Sequence, residues 1–157
     1  MPDHVFLLRG NHESSFCTLL YGYQGELKAK YGEPGWNKIF KACEKLFSHL
    51  PLAAVVNQAT LILHGGLFRP LPAKGRRSKK MRLENERKLG NLDDLRQSSK
   101  GGPDPDGEGT SRLASDVLWS DPGMDSGFVE NEKREIGMIF GPDITEVGNQ
   151  AIYSLVP

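Results

Sequence analysis

An α/β fold follows from three features of the sequence. Strand-length apolar runs alternate with helically spaced apolar stretches, Gly or Pro punctuates each of them, and polar clusters sit just past the ends of two of the runs. The first run, Val5-Phe6-Leu7-Leu8, is a predicted buried strand ended by Gly10-Asn11. A helix is predicted from Leu19 to Lys30, weakened by Gly22 and Gly25 and ended near Gly32. From Trp36 onward, Ile39, Phe40, Cys43, Leu46, Phe47 and Leu50 recur at helical spacing, with Lys38, Lys41, Glu44 and Lys45 on the other face, until Pro51 stops the helix. Leu52 to Val56 and Thr60 to Leu63 read as two strands separated by the turn Asn57-Gln58-Ala59.

The 157 residues amount to about one domain of chain. Twenty Lys and Arg cancel twenty Asp and Glu, which excludes a globally basic nucleic-acid binder but leaves room for local charge blocks. No run approaches the ~18 apolar residues of a membrane span, and the apolar stretch before Arg9 is too short for a secretory signal. Cys17 and Cys43 cannot build a disulfide framework, so an intracellular, reducing compartment is expected.

Residues 70–112 interrupt this pattern and read as a charged insertion, disordered for most of its length because it has no sustained apolar face. Between Lys74 and Lys88, eight basic residues stand against Glu84 and Glu86, and the acidic, Gly- and Pro-rich GGPDPDGEG follows soon after. A short helix is predicted around Leu89 to Gln97, with Asn91 as its cap.

The chemistry gathers at the strand ends. Asn11, His12 and Glu13 follow the first predicted strand, and His64-Gly65-Gly66 follows the third, where ligands bind in open α/β sheets. An Asn oxygen and a neutral imidazole are both ligand types for a divalent cation, and glycines let backbone approach closely. The plainer reading is the stronger one on spacing alone: Asn suits a tight turn, and a His after a strand is commonly a hydrogen-bonded structural residue.

Three ordered motifs, LLRGNHE at 7–13, LILHGGLFR at 61–69 and DVLWSDP at 116–122, resemble the catalytic core of the phosphoprotein phosphatase family. These are the metal-dependent serine/threonine protein phosphatases, with the calcineurin-like metallophosphoesterase fold. HGGLFR, a basic insertion, LGNLDDL and DVLWSDP are similar to the arrangement in the family's plant protein phosphatase seven group. The resemblance implies a partial two-sheet sandwich flanked by helices. Its first part lies in residues 1–69 and its second in 113–146, followed by a divergent tail at 147–157. It implies that Asn11 and His64 are ligands of one of two divalent metals of Mn, Fe or Zn type, and that His12 protonates the departing alkoxide. It implies that Arg134 grips the substrate phosphate of a phosphoprotein, although Glu135 stands where the family usually has glycine. Trp119 and Asp121 match the loop beside the active site; read without the family, Trp119 is a core anchor and Asp121-Pro122 a turn.

The family's GDxHG and GDxVDRG motifs, which supply the other metal ligands and the acid that orients the catalytic His, do not occur in this sequence, and His64 is its last histidine. Two neutral donors leave a cation mostly hydrated, so no stable binuclear centre is expected from this chain alone. The implied function is that of a truncated, inactive piece of a phosphatase catalytic domain, with strand edges and apolar surface left open. The alternative is a non-catalytic interaction protein. For that reading, Lys74 to Leu95, with Met81 and Leu89 as apolar anchors, makes calmodulin a candidate partner, an association the resembled plant group shares. A solvated loop, or a nuclear localisation signal in GRRSKK, accounts for the same residues. Nucleus and cytoplasm therefore both remain as locations.

Overall fold

A computed structural model of the chain describes residues 3–72, 88–105, 107–109 and 111–153. Helix α1, Ser15–Leu20, starts where Ser14 caps it by accepting the Cys17 N–H at 3.1 Å. Gly22, left-handed at φ 86, then turns the chain into α2, Tyr23–His49. The helix predicted for 19–30 is therefore split, because Gly22 takes a conformation no helix interior allows. Gly32 (φ 57) and Glu33 (ψ 138) kink α2, as the expected stop near Gly32 required, and helical geometry resumes with Pro34. Its second half buries Phe40 and half-buries Trp36, Ile39, Cys43 and Phe47, so the apolar stripe faces as its spacing predicts, although Leu46 is exposed.

Strands β1, Ala53–Val56, and β2, Thr60–Leu63, form an antiparallel hairpin with Ala53 opposite Leu63 and Val56 opposite Thr60. Asn57 and Gln58 both have positive φ (50 and 57), the handedness that a tight hairpin turn needs to match strand twist. Helix α3 is Leu92–Gln97, α4 is Arg112–Trp119 and α5 is Pro142–Tyr153. Between the last two helices lies a small sheet of β3 (Asp121–Pro122), β4 (Phe128–Glu130) and β5 (Met138–Phe140), ordered β3-β5-β4. Strand β3 is parallel to β5, and β4 is antiparallel to it. Helix α5 runs across the boundary between residues 146 and 147, the expected start of a divergent tail, without a break.

Two apolar clusters hold these elements. Leu52, Phe68, Leu113, Ala114, Val117 and Leu118 form one, with Leu61, Leu63, Leu71, Leu95 and Trp119 packed on it. Phe128, Met138, Phe140 and Ile144 form the other, with Leu67 and Leu89 against it. Each fully buried Leu, Phe or Val contributes about 1.5–3 kcal/mol through water exclusion. Helix α4 supplies most of the first cluster, which fixes the position of the segment that follows it.

One expectation needs correction. Val5 to Leu8 is not a strand: Val5, Phe6 and Leu7 are 61%, 78% and 64% exposed, and no neighbouring strand pairs with them among the described residues. A strand is defined by its partner, and an apolar run without one keeps its length but gains no ladder. Within the insertion, the short helix expected around Leu89 to Gln97 is present as α3. Asn91 caps α3 through the Asp93 and Asp94 N–H groups, the Asp94 carboxylate returns to the Asn91 N–H, and Leu89 and Leu95 pack onto the two clusters. A few well-spaced leucines suffice where a core lies beneath them. Residues 73–87, and with them GRRSKK, Met81 and most of the candidate calmodulin segment, lie outside the described residues. Among the described residues no helix is long and apolar enough to cross a membrane.

Candidate functional site

The turn carrying Asn11 and His12 is closed on itself. The Gly10 N–H donates to Glu13 Oε2 at 2.8 Å, and the Glu13 N–H returns to Gly10 O at 3.3 Å. A methyl group at Gly10 would meet Glu13 Oε2 at 2.7 Å and the His64 ring at 3.2 Å, so glycine lets the two segments meet. As a result Asn11 Oδ1 lies 3.0 Å from His64 Nε2, across 53 residues of sequence. The structure thus brings together the two residues singled out as ligands. His12, on the same turn, is exposed and stacks on Tyr21 with ring centroids 4.6 Å apart and planes 8° apart.

His64 is held by its own glycines. The Gly65 N–H donates to Val117 O at 2.8 Å, and a Cβ there would come within 2.8 Å of backbone atoms of Val117 and Leu118. A Cβ on Gly66 would strike the Phe140 ring at 2.3 Å and Ser120 O at 2.7 Å. Gly137, left-handed at φ 74, lies equally close to the Trp119 backbone. The segment from Val117 to Ser120 is therefore clasped by three glycines, which sets His64 beside the stretch leading to Asp121.

Arg69 and Asp116 complete that clasp and were not singled out from the sequence. Asp116 is fully buried and accepts three bonds from Arg69: N at 3.0 Å, Nε at 2.8 Å and Nη2 at 2.8 Å. Planar, bidentate pairing of this kind ties HGGLFR to DVLW with fixed geometry. A charged residue in each of two separate motifs was the available signal.

Arg134 is paired with Asp121. Its Nε donates to Asp121 Oδ2 at 2.6 Å and its Nη2 to Oδ1 at 3.3 Å, while Asn131 donates to the same carboxylate at 3.1 Å and accepts the Arg134 N–H at 3.2 Å. Both charged side chains are about half exposed, so the pair contributes at most about 1 kcal/mol. The carboxylate against Arg134 is thus that of Asp121. Glu135 instead has φ 58, the left-handed region that glycine occupies at little cost and that costs another residue about 1–2 kcal/mol. No hydrogen bond joins the Asn11–His64 pair to the Arg134–Asp121 pair among the described residues. Trp119 is half-buried against the first cluster, which agrees with its reading as a core anchor.

The donors at Asn11 and His64 are of the right type for a divalent cation, but they offer two neutral positions. No group of three or more His, Cys, Asp or Glu suited to a metal occurs among the described residues. The residues fit part of one ion's shell and do not fit two metals.

Comparison with known proteins gives a consistent picture. Residues 1–151 match the family model of the calcineurin-like phosphoesterases. Serine/threonine-protein phosphatase 7 of Arabidopsis thaliana is 46% identical over 155 residues, covering 93% of this chain and 37% of that protein. Human serine/threonine-protein phosphatase 5 is 37% identical over 145 residues, covering 92% of this chain and 24% of that protein. A solved protein serine/threonine phosphatase from Saccharomyces cerevisiae superposes with a TM-score of 0.63 at 30% identity, covering 95% of this chain and 39% of the other. The chain therefore spans well under half the length of the relatives it matches. Divalent metals belong to the chemistry of this family, and phosphoproteins are what its protein phosphatases act on. The same segments that the glycines and the Arg69–Asp116 pair draw around His64 carry the motif matches, and the chain belongs to the calcineurin-like phosphoesterase family.

Proposed function

We propose that this chain is part of a serine/threonine protein phosphatase catalytic domain, acting on phosphoserine and phosphothreonine, and that by itself it does not turn substrate over. The approach of Asn11 Oδ1 to His64 Nε2 carries the reading, because it sets side by side the donors of two motifs that lie 53 residues apart in sequence. In this reading Asn11 and His64 hold one side of a divalent ion of Mn, Fe or Zn type, which when bound supplies charge neutralisation and an activated water. His12 is the group that protonates the leaving alkoxide, and the Tyr21 stack orients its ring. Arg134 grips phosphate, with Trp119 and Asp121 behind it. Residues 1–69 and 113–146 are the two catalytic parts, 70–112 is the insertion between them, and 147–157 is a divergent tail whose first residues, 147–151, still fall within the family match.

General acid catalysis contributes only about 10²–10⁴-fold, and a two-donor site retains little of the rest. Phosphoserine peptide turnover with excess Mn²⁺ is therefore expected to equal the metal-only background. Wild type, His12→Ala and His64→Ala, purified free of host phosphatases, should be indistinguishable. Metal-dependent turnover that both substitutions abolish would overturn the inactive reading.

The basic segment supports a binding role alongside. Calmodulin is its proposed partner through Lys74 to Leu95, and the cell interior, nucleus or cytoplasm, its location. A peptide spanning those residues is expected to bind calmodulin only with calcium present; a titration showing no calcium-dependent shift removes this partner.

A further inference from the structure

Arg9 is fully buried, and its hydrogen bonds among the described residues all go to main-chain carbonyls. Its Nε and Nη2 donate to Glu13 O at 3.1 and 2.9 Å, Nη1 to Lys100 O at 3.0 Å and Nη2 to Pro103 O at 2.9 Å, while its own N–H donates to Pro51 O at 2.9 Å. Burial pulls the guanidinium below its ordinary value, with Asp104 and Glu13 acting in the opposite direction. A buried cation persists only where its donors are satisfied, so the surrounding carbonyls must be held in place.

They are held at both ends. Lys100 Nζ donates to His49 O at 2.8 Å and Leu50 O at 3.3 Å, the terminal carbonyls of α2, where a cation is favoured. Asp104 Oδ1 accepts the Phe16 N–H at 2.9 Å at the start of α1. Between them Gly101 and Gly102 are left-handed at φ 72 and 60, which allows the carbonyls of Lys100 and Pro103 to reach one guanidinium.

We propose that Lys100–Asp104 is a strap that positions the Asn11–His12 turn through Arg9, so that the charged insertion governs the placement of the candidate proton donor. Arg9 is then a positioning residue: it touches no reacting atom, and it holds by its carbonyl the same Glu13 whose carboxylate and N–H close the turn onto Gly10. The proposal rests on the phosphatase reading only for the role of His12.

The test uses the whole 157-residue chain and no activity assay. Gly101→Val forces a branched residue into a left-handed conformation and sets its Cβ 2.7 Å from Pro105 Cα. Hydrogen exchange and His12 ring proton shifts, the latter displaced by the Tyr21 stack, are the readouts. Exchange at the Gly10 and Glu13 amides is expected to accelerate about tenfold, the equivalent of one left-handed penalty. The His12 signals should move toward free imidazole while α4 amides keep their protection. Gly127→Ala, left-handed at φ 83 but with open space around it, is the control that carries the backbone penalty without a clash and away from the strap, and it should change neither. Should Gly101→Val not fold, Lys100→Gln should produce a smaller change of the same sign at the same amides. Unchanged Gly10, Glu13 and His12 signals in the strap variants, or equal changes in Gly127→Ala, would overturn the proposal. Because turnover is not read, a failed strap and a failed phosphatase assignment give different results.

Discussion

Asp116→Ala is expected to lose about 3–5 kcal/mol of stability, the cost of leaving a largely buried charge without its partner. Arg69 has a side-chain exposure of 16% and sends three donors to this one carboxylate, so truncation orphans a guanidinium and a backbone N–H together. Whole-domain stability is about 5–15 kcal/mol, so the loss is a large share of the total. The effect should extend to the site, since Gly65 bonds to Val117, the neighbour of Asp116. Urea titration of wild type, Arg69→Met, Asp116→Leu and the double variant measures this. The double variant should recover most of the stability that either single variant loses, because apolar replacement of both partners removes the orphaned charge. An unchanged midpoint in Asp116→Ala would show that the pair is not the clasp described here.

Gly66→Ala is expected to destabilise by about 1–3 kcal/mol, the range for overpacking a filled interior. The added methyl group would lie 2.3 Å from Phe140 Cε1 and 2.7 Å from Ser120 O, and the backbone oxygen cannot turn away as a flexible side chain could. Relief requires the HGG segment to withdraw, which takes His64 away from Asn11. Gly25→Ala in α2 is the opposite case: open space surrounds it, and alanine should stabilise the helix by about 0.8–1 kcal/mol. Opposite signs in thermal melts, together with a His64 ring shift confined to Gly66→Ala, would establish close approach as the reason for that glycine. Equal melting of Gly66→Ala and wild type would sink it.

The sequence by itself determined the local events. Gly32, Pro51 and the Asn57-Gln58 turn set element ends where they were expected, Asn91 capped its helix, and the apolar stripe from Trp36 to Phe47 turned inward. The motifs around Asn11, His12 and His64 marked the family, since their residues and order are written directly in the chain. Tertiary structure alone decided the rest. Val5 to Leu8 has the composition of a strand, but pairing depends on a neighbour that periodicity cannot supply. Arg9 looked like a motif charge and is a buried hub, because its acceptors lie 91 and 94 residues away. Asp116 finds Arg69 across 47 residues, and Asp121 finds Arg134 by a turn at Asn131. Helical and strand periods report which side chains favour burial over a few residues. The partner that satisfies a buried charge is chosen by chain path, and only packing fixes that path.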